Sequence, residues 1–137
     1  MRQMRLVQES FAEILPAADL TAQRFYARLF ELDPTVRGMF PSDMTMQRQK
    51  FMSMLNTAVD SLDRLDVLVP TIQALGIRHG TYGVTIEQYA LVREALMWAL
   101  QETLGEAFTS DVKAAWMAVF TVLANMMQQA AYSTTTR

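Results

Sequence analysis

Apolar residues recur along this chain at intervals of three and four, and no run alternates apolar and polar positions with period two. That pattern predicts an all-α fold. Val7, Phe11, Ile14 and Leu15 share one face of a first helix, which Pro16 stops. A second helix over 20–32 turns Ala22, Phe25, Tyr26 and Leu29 inward. Asp33-Pro34 is a cap followed by proline at the first helical position, opening a short turn that ends near Phe40-Pro41. A helix over 42–62 carries Gln47, Phe51, Met54, Leu55, Ala58 and Leu62 on one stripe. The next, over 67–80, aligns Leu68, Ile72, Leu75 and His79, with Gly80 and Gly83 at its end. Thr85-Ile86-Glu87-Gln88 reads as a capping box for a helix to 104, with Tyr89, Val92, Leu96 and Ala99 inward and Gly105 closing it. Thr109-Ser110-Asp111 caps a last helix whose inward face is Val112, Trp116, Val119, Leu123 and Met126. The expected architecture is six long helices plus a short one, followed by a tail over 132–137 with no reason to be ordered.

At 137 residues the chain suits one domain able to bury a core without staples. Half the residues are apolar and 19% charged, a globular balance. A net charge of −2 with scattered Lys and Arg argues against nucleic acid as a partner. No apolar run approaches the ~18 residues of a membrane span, and the first ten residues are too polar for the core of a signal peptide. The absence of cysteine excludes disulfides and suits a cytoplasmic location. Eleven methionines suit either ordinary core or the lining of an irregular cavity.

The inward stripes carry four polar side chains: Tyr26, Gln47, His79 and Tyr89. Each costs about 1–3 kcal/mol if buried without a partner, so together they favour a pocket over a plain core. His79 is the only histidine, hence the one strong nitrogen or sulfur ligand available to a soft or borderline metal. Taken alone beside an apolar stripe, it reads more readily as a core histidine than as a ligand.

The residues Phe25-Tyr26, Leu29-Phe30, Pro34, Phe40, Gln47, Lys50-Phe51, Arg78-His79, Tyr82-Gly83-Val84, Glu87-Gln88-Tyr89, Ala115-Trp116 and Val122-Leu123-Ala124-Asn125 together resemble a globin. The likeness is to the bacterial single-domain kind and to the haem domain of flavohaemoglobins. It covers about residues 3–132, and the intervals carry it: 14 positions from Tyr26 to Phe40, 7 on to Gln47, 32 on to His79 and 10 on to Tyr89.

The resemblance implies haem b (iron protoporphyrin IX), with His79 as the proximal ligand. Phe40 and Phe51 would pack in the pocket, and Leu75, Val84, Val92 and Leu96 would line an apolar slot. Tyr26 and Gln47 match the distal pair facing a diatomic ligand (O2, NO or CO), where hydrogen bonds to a partly charged acceptor are worth ~1.5–3 kcal/mol. Two plainer readings stay open, a Tyr26 bonded to a helix carbonyl and a solvated Gln47 at the pocket mouth. Lys50 and Arg78 fit either haem propionates or the surface. A single histidine excludes a second one across the iron, and Met46, Met52 and Met54 read as packing.

One departure bears on function. The resemblance implies a proximal histidine buttressed by a tyrosine and a glutamate; Tyr89 fits the first, but Ala131 stands where the second would be. Gln128 or Gln129 would be a neutral substitute. The expected function is reversible O2 binding, with nitric oxide dioxygenase activity fed by an external reductase as the alternative.

Overall fold

The computed structural model describes residues 2–81 and 86–135. Among them are six α-helices and no strand: α1 (Arg2–Ile14), α2 (Ala18–Leu32), α3 (Thr45–Asp60), α4 (Leu65–Thr81), α5 (Ile86–Leu104) and α6 (Ser110–Thr135). The short helical turn of the sequence pattern is a 3-10 segment, Pro34–Met39, and three further 3-10 turns join other helices.

Local chemistry accounts for the joints. The Asp33 carboxylate accepts the Thr35 backbone N–H at 3.1 Å, with Pro34 already holding the helical φ. Gly105 takes φ +58°, the left-handed conformation that ends α5 without a Cβ clash. The Thr109 hydroxyl accepts the Val112 N–H at 3.2 Å and caps α6. Because no glycine or proline follows Gly105, nothing local stops α6 near 131, and it runs on to Thr135, into the segment expected to be a tail.

The helices pack chiefly as α4 on α6, α2 on α5 and α1 on α6. Val7, Phe11, Ile14, Ala22, Phe25, Leu29, Leu100 and Trp116 form the centre of the core. Buried polar groups are paired: the Trp116 indole N–H donates to Ser10 Oγ at 2.9 Å, and the Ser10 hydroxyl turns back to the carbonyls of Leu6 and Val7. Between α2 and α5, Thr21 and Thr103 share a 2.9 Å hydrogen bond, and Arg24 donates to Thr103 at 3.1 Å.

Two inward assignments are corrected. Leu15 is 46% exposed, because the chain leaves the α1 helix at Ile14 and enters a 3-10 turn around Pro16. Met54 is also exposed; the buried stripe of α3 is Met52, Leu55 and Val59, continuing to Leu62 in the following turn. The rotation brings Met52 and Val59 inward in place of Met54 and leaves Leu55, Ala58 and Leu62 as expected.

At one crossing the backbones themselves touch. A Cβ on Gly76 would collide with the carbonyl and Cα of Met127, so glycine is what lets α4 lie directly against α6. Further back in α4, Pro70 lacks the N–H that would bond the carbonyl of Asp66. No described helix is long and apolar enough to cross a membrane.

Candidate functional site

Aromatic residues from α2, the Pro34–Met39 turn and α3 converge on Tyr26. Its ring meets Phe25, Phe40 and Phe51 edge-on at centroid separations of 4.8, 5.5 and 5.6 Å, and Phe30 at 6.0 Å. Phe25 and Phe51 stack face to face at 4.4 Å and 5°. Helical spacing explains the group: Phe25, Tyr26, Leu29 and Phe30 form adjacent rows on α2, and Gln47 and Phe51 lie one turn apart on α3.

Tyr26 is 5% exposed, and its hydroxyl oxygen accepts the Gln47 Nε2 amide at 3.1 Å. It is not bonded to a helix carbonyl. Gln47 is half-buried, turned in rather than solvated. The donated amide occupies the phenol oxygen, and the O–H hydrogen has no acceptor among the described residues. Burial pushes the Tyr26 hydroxyl above the usual tyrosine range, and the Gln47 hydrogen bond only partly offsets that, so the group is a neutral donor.

Two contacts fix the start of α3, where Gln47 sits. Asp43 accepts the Thr45 N–H at 3.0 Å and its hydroxyl at 2.7 Å, and those bonds hold its carboxyl below the ordinary value. Arg48 Nε donates to Asp19 at 2.9 Å, tying α3 to α2; that bond, with one from Gln23, lowers the Asp19 carboxyl as well.

The structure thus brings Tyr26, Phe40, Gln47 and Phe51 together. Lys50 is exposed on α3. On α5, Leu96 and Tyr89 are buried and Val92 half-buried, and burial raises the Tyr89 hydroxyl. The backbone of α4 includes Leu75, Arg78 and His79, but their side chains lie outside the described residues, as do Val84 and the side chain of Ala131. Met46 is 65% exposed, and Met52 is buried among core residues, in keeping with packing for the latter.

Three contributors escaped the sequence pattern as site residues: Phe25, Phe30 and Arg37. Phe25 and Phe30 are visible as aromatic neighbours of Tyr26 on α2. Arg37 carried no signal beyond a basic residue in the last turn before Phe40.

The donor set discriminates among ligands. A metal held by protein alone needs three or four side chains, and no cluster of three His, Cys, Asp or Glu occurs among the described residues. A haem would ask the protein for as little as one side-chain ligand to its iron, which suits a chain with one histidine and no cysteine.

Comparison with known proteins supplies the family. The globin family model matches residues 23–127. The neuroglobin of Danio rerio is 31% identical over 116 residues, spanning 74% of this chain and 73% of its own length. A flavohemoprotein of Halalkalibacterium halodurans is 24% identical over 128 residues; that match takes in 91% of this chain but only 31% of the relative. Among solved structures, an engineered carbene transferase from Rhodothermus marinus, provisionally assigned as a nitric oxide dioxygenase, superposes with a TM-score of 0.89 at 25% identity, covering 99% of this chain and 95% of its own. A bacterial globin from Campylobacter jejuni shares the fold with a TM-score of 0.87 at 17% identity, covering 99% of both chains.

Proposed function

The chain belongs to the globin family, and from that premise we propose that it is a haem protein that reversibly binds O2 and other diatomic ligands. His79 serves as the proximal ligand, and Tyr26 and Gln47 face the bound gas. Haem b, when bound, supplies a ferrous iron at which such a ligand is held and released.

The observation that carries this reading is the Gln47 amide on the Tyr26 oxygen. A phenol that already accepts one hydrogen bond is oriented, and its own hydrogen is left to donate to an electron-rich ligand atom. A phenol keeps that hydrogen at neutral pH in any case, and burial extends the range over which it does so. Phe25, Phe40 and Phe51 exclude water, which strengthens the donated bond. Val92 and Leu96 contribute an apolar wall from α5, together with Leu75 and Val84. In this reading Tyr89 supports His79 by a hydrogen bond, and Lys50 and Arg78 pair with the propionates.

Absorption spectra in ferric, ferrous and CO-bound states test the cofactor; a chain with no Soret band would refute it. Stopped-flow O2 dissociation tests the distal pair. Tyr26→Phe removes a hydrogen bond worth ~1.5–3 kcal/mol and should speed release by roughly 10- to 100-fold. An unchanged rate would overturn the role of Tyr26.

The flavohemoprotein and Rhodothermus matches favour one second reading, nitric oxide dioxygenase turnover with electrons from a separate reductase. The same Tyr26 donor would serve it, whereas Ala131 in place of a buttressing glutamate weighs against it. NO consumption measured with a supplied reductase separates the two: repeated turnover supports the enzyme, and a single stoichiometric burst leaves binding alone.

A further inference from the structure

The chain between the Pro34–Met39 turn and α3 leaves helical geometry at Phe40, whose φ of −123° and ψ of 155° are extended. Helical hydrogen bonding stops there, which leaves the part-buried carbonyl of Phe40 and the exposed ones of Pro41 and Ser42 to side chains or water. One side chain supplies all three. Arg37 Nη1 donates to Phe40 O at 3.3 Å and Pro41 O at 2.9 Å, and Nη2 donates to Ser42 O at 3.1 Å. In the reverse direction, the Phe40 N–H donates to the Arg37 carbonyl at 3.2 Å.

The same guanidinium lies over the Phe30 ring, 5.1 Å from its centroid. Phe30 packs against Phe40 at 5.7 Å and against Tyr26 at 6.0 Å, and Phe40 closes the triangle by meeting Tyr26 at 5.5 Å. Arg37 therefore grips two corners of the triangle, Phe40 through its backbone and Phe30 through its face. The third corner is the tyrosine that carries the candidate ligand contact.

We propose that Arg37 is a positioning residue for the distal wall, setting the angle at which Phe40 presses on Tyr26. The role rests on the proposed function for its consequence, though not for its geometry. A lysine keeps a cation over Phe30, but its single ammonium lacks the planar fork that spans three carbonyls.

The test uses the CO-bound ferrous protein and compares Arg37→Ala, Arg37→Lys and a control, Arg28→Ala. Arg28 also lies over an aromatic ring, Trp98, and pairs with Glu31 at 3.2 Å, but it touches none of the triangle. NMR should show the Tyr26 and Phe40 ring protons shifted in Arg37→Ala, with faster amide exchange over 40–44. Haem loss to an acceptor protein should quicken about tenfold. Arg37→Lys should fall between Arg37→Ala and the parent, and Arg28→Ala should leave the ring signals in place.

Unmoved Tyr26 and Phe40 signals in Arg37→Ala, with a lower melting temperature alone, would overturn the proposal and reduce Arg37 to a turn stabiliser. If Arg37→Ala does not fold, the ring signals of Arg37→Lys decide in the same way. A parent protein without a Soret band would instead refute the proposed function; the ring shifts, read on that protein as it is, would still judge Arg37.

Discussion

Tyr26 joins two properties that pull against each other, a phenol and near-complete burial. In the folded chain its ionisation is pushed above the ordinary tyrosine value, and so is that of Tyr89 on α5. A folded state that holds its protons more tightly than the unfolded one loses stability as pH climbs. Both hydroxyls are neutral in either state below about pH 10, so their contribution is complete there. It is lost as pH rises from that value through the raised folded values. Melting temperatures should therefore fall faster above about pH 10 than below it, and Tyr26→Phe should flatten that part of the curve; parallel curves would show that Tyr26 is not the group responsible.

That Tyr26 and Gln47 turn inward was legible in the sequence, since each lay on an inward stripe and each needed a hydrogen-bond partner; that they bond to each other was not. The grip of Arg37 was not. Its acceptors are main-chain carbonyls, which every residue type offers, so no pattern of side chains announces them.

Helix packing turns on Gly76 more than on Gly38, beside which a Cβ meets open space. An alanine there would drive a methyl group into the backbone of Met127, and the helix pair would have to separate. Overpacking of this kind costs roughly 1–3 kcal/mol. Chemical denaturation should show a loss of that size for Gly76→Ala and little change for Gly38→Ala, where a Cβ meets open space. Equal effects would mean that the crossing of α4 and α6 yields easily. Since α4 is also the helix that includes His79, Gly76→Ala should weaken haem retention in step with stability.

Helix number and order followed from the three-to-four-residue recurrence of apolar positions. The misassigned Leu15 and Met54 mark where that reasoning stops: a 3-10 turn changes the angular step at one, and packing selects which neighbouring row of α3 turns inward at the other. Gly76 could not be told from its neighbours, because its reason for being glycine stands 51 positions further along, at Met127.

For the molecule as a whole, a ligand bound only by the folded chain adds stability by mass action, about 2.7 kcal/mol at a hundredfold excess over its dissociation constant. For a chain of this size that is of order 10 °C in melting temperature. Supplying haem to the haem-free protein should raise its melting temperature by that order, and His79→Ala should abolish most of the rise while leaving the helical circular dichroism of the fold. A full rise in His79→Ala would exclude His79 as the ligand. Family membership was legible from the spacing of a few residues: the intervals that join Tyr26, Phe40, Gln47, His79 and Tyr89 pointed to the family whose model matches residues 23–127.

The hydrogen bond from Trp116 to Ser10 joins residues 106 positions apart, and Val7, Phe11 and Ile14 of α1 settle into the same core. On a ribosome adding roughly 5–20 residues per second, the α1 segment waits about 5–20 s for α6, with α3 and α5 the earlier helices that can cover part of its apolar face. Thirteen residues are marginal as an isolated helix, so α1 gains its full support only once α6 has been made.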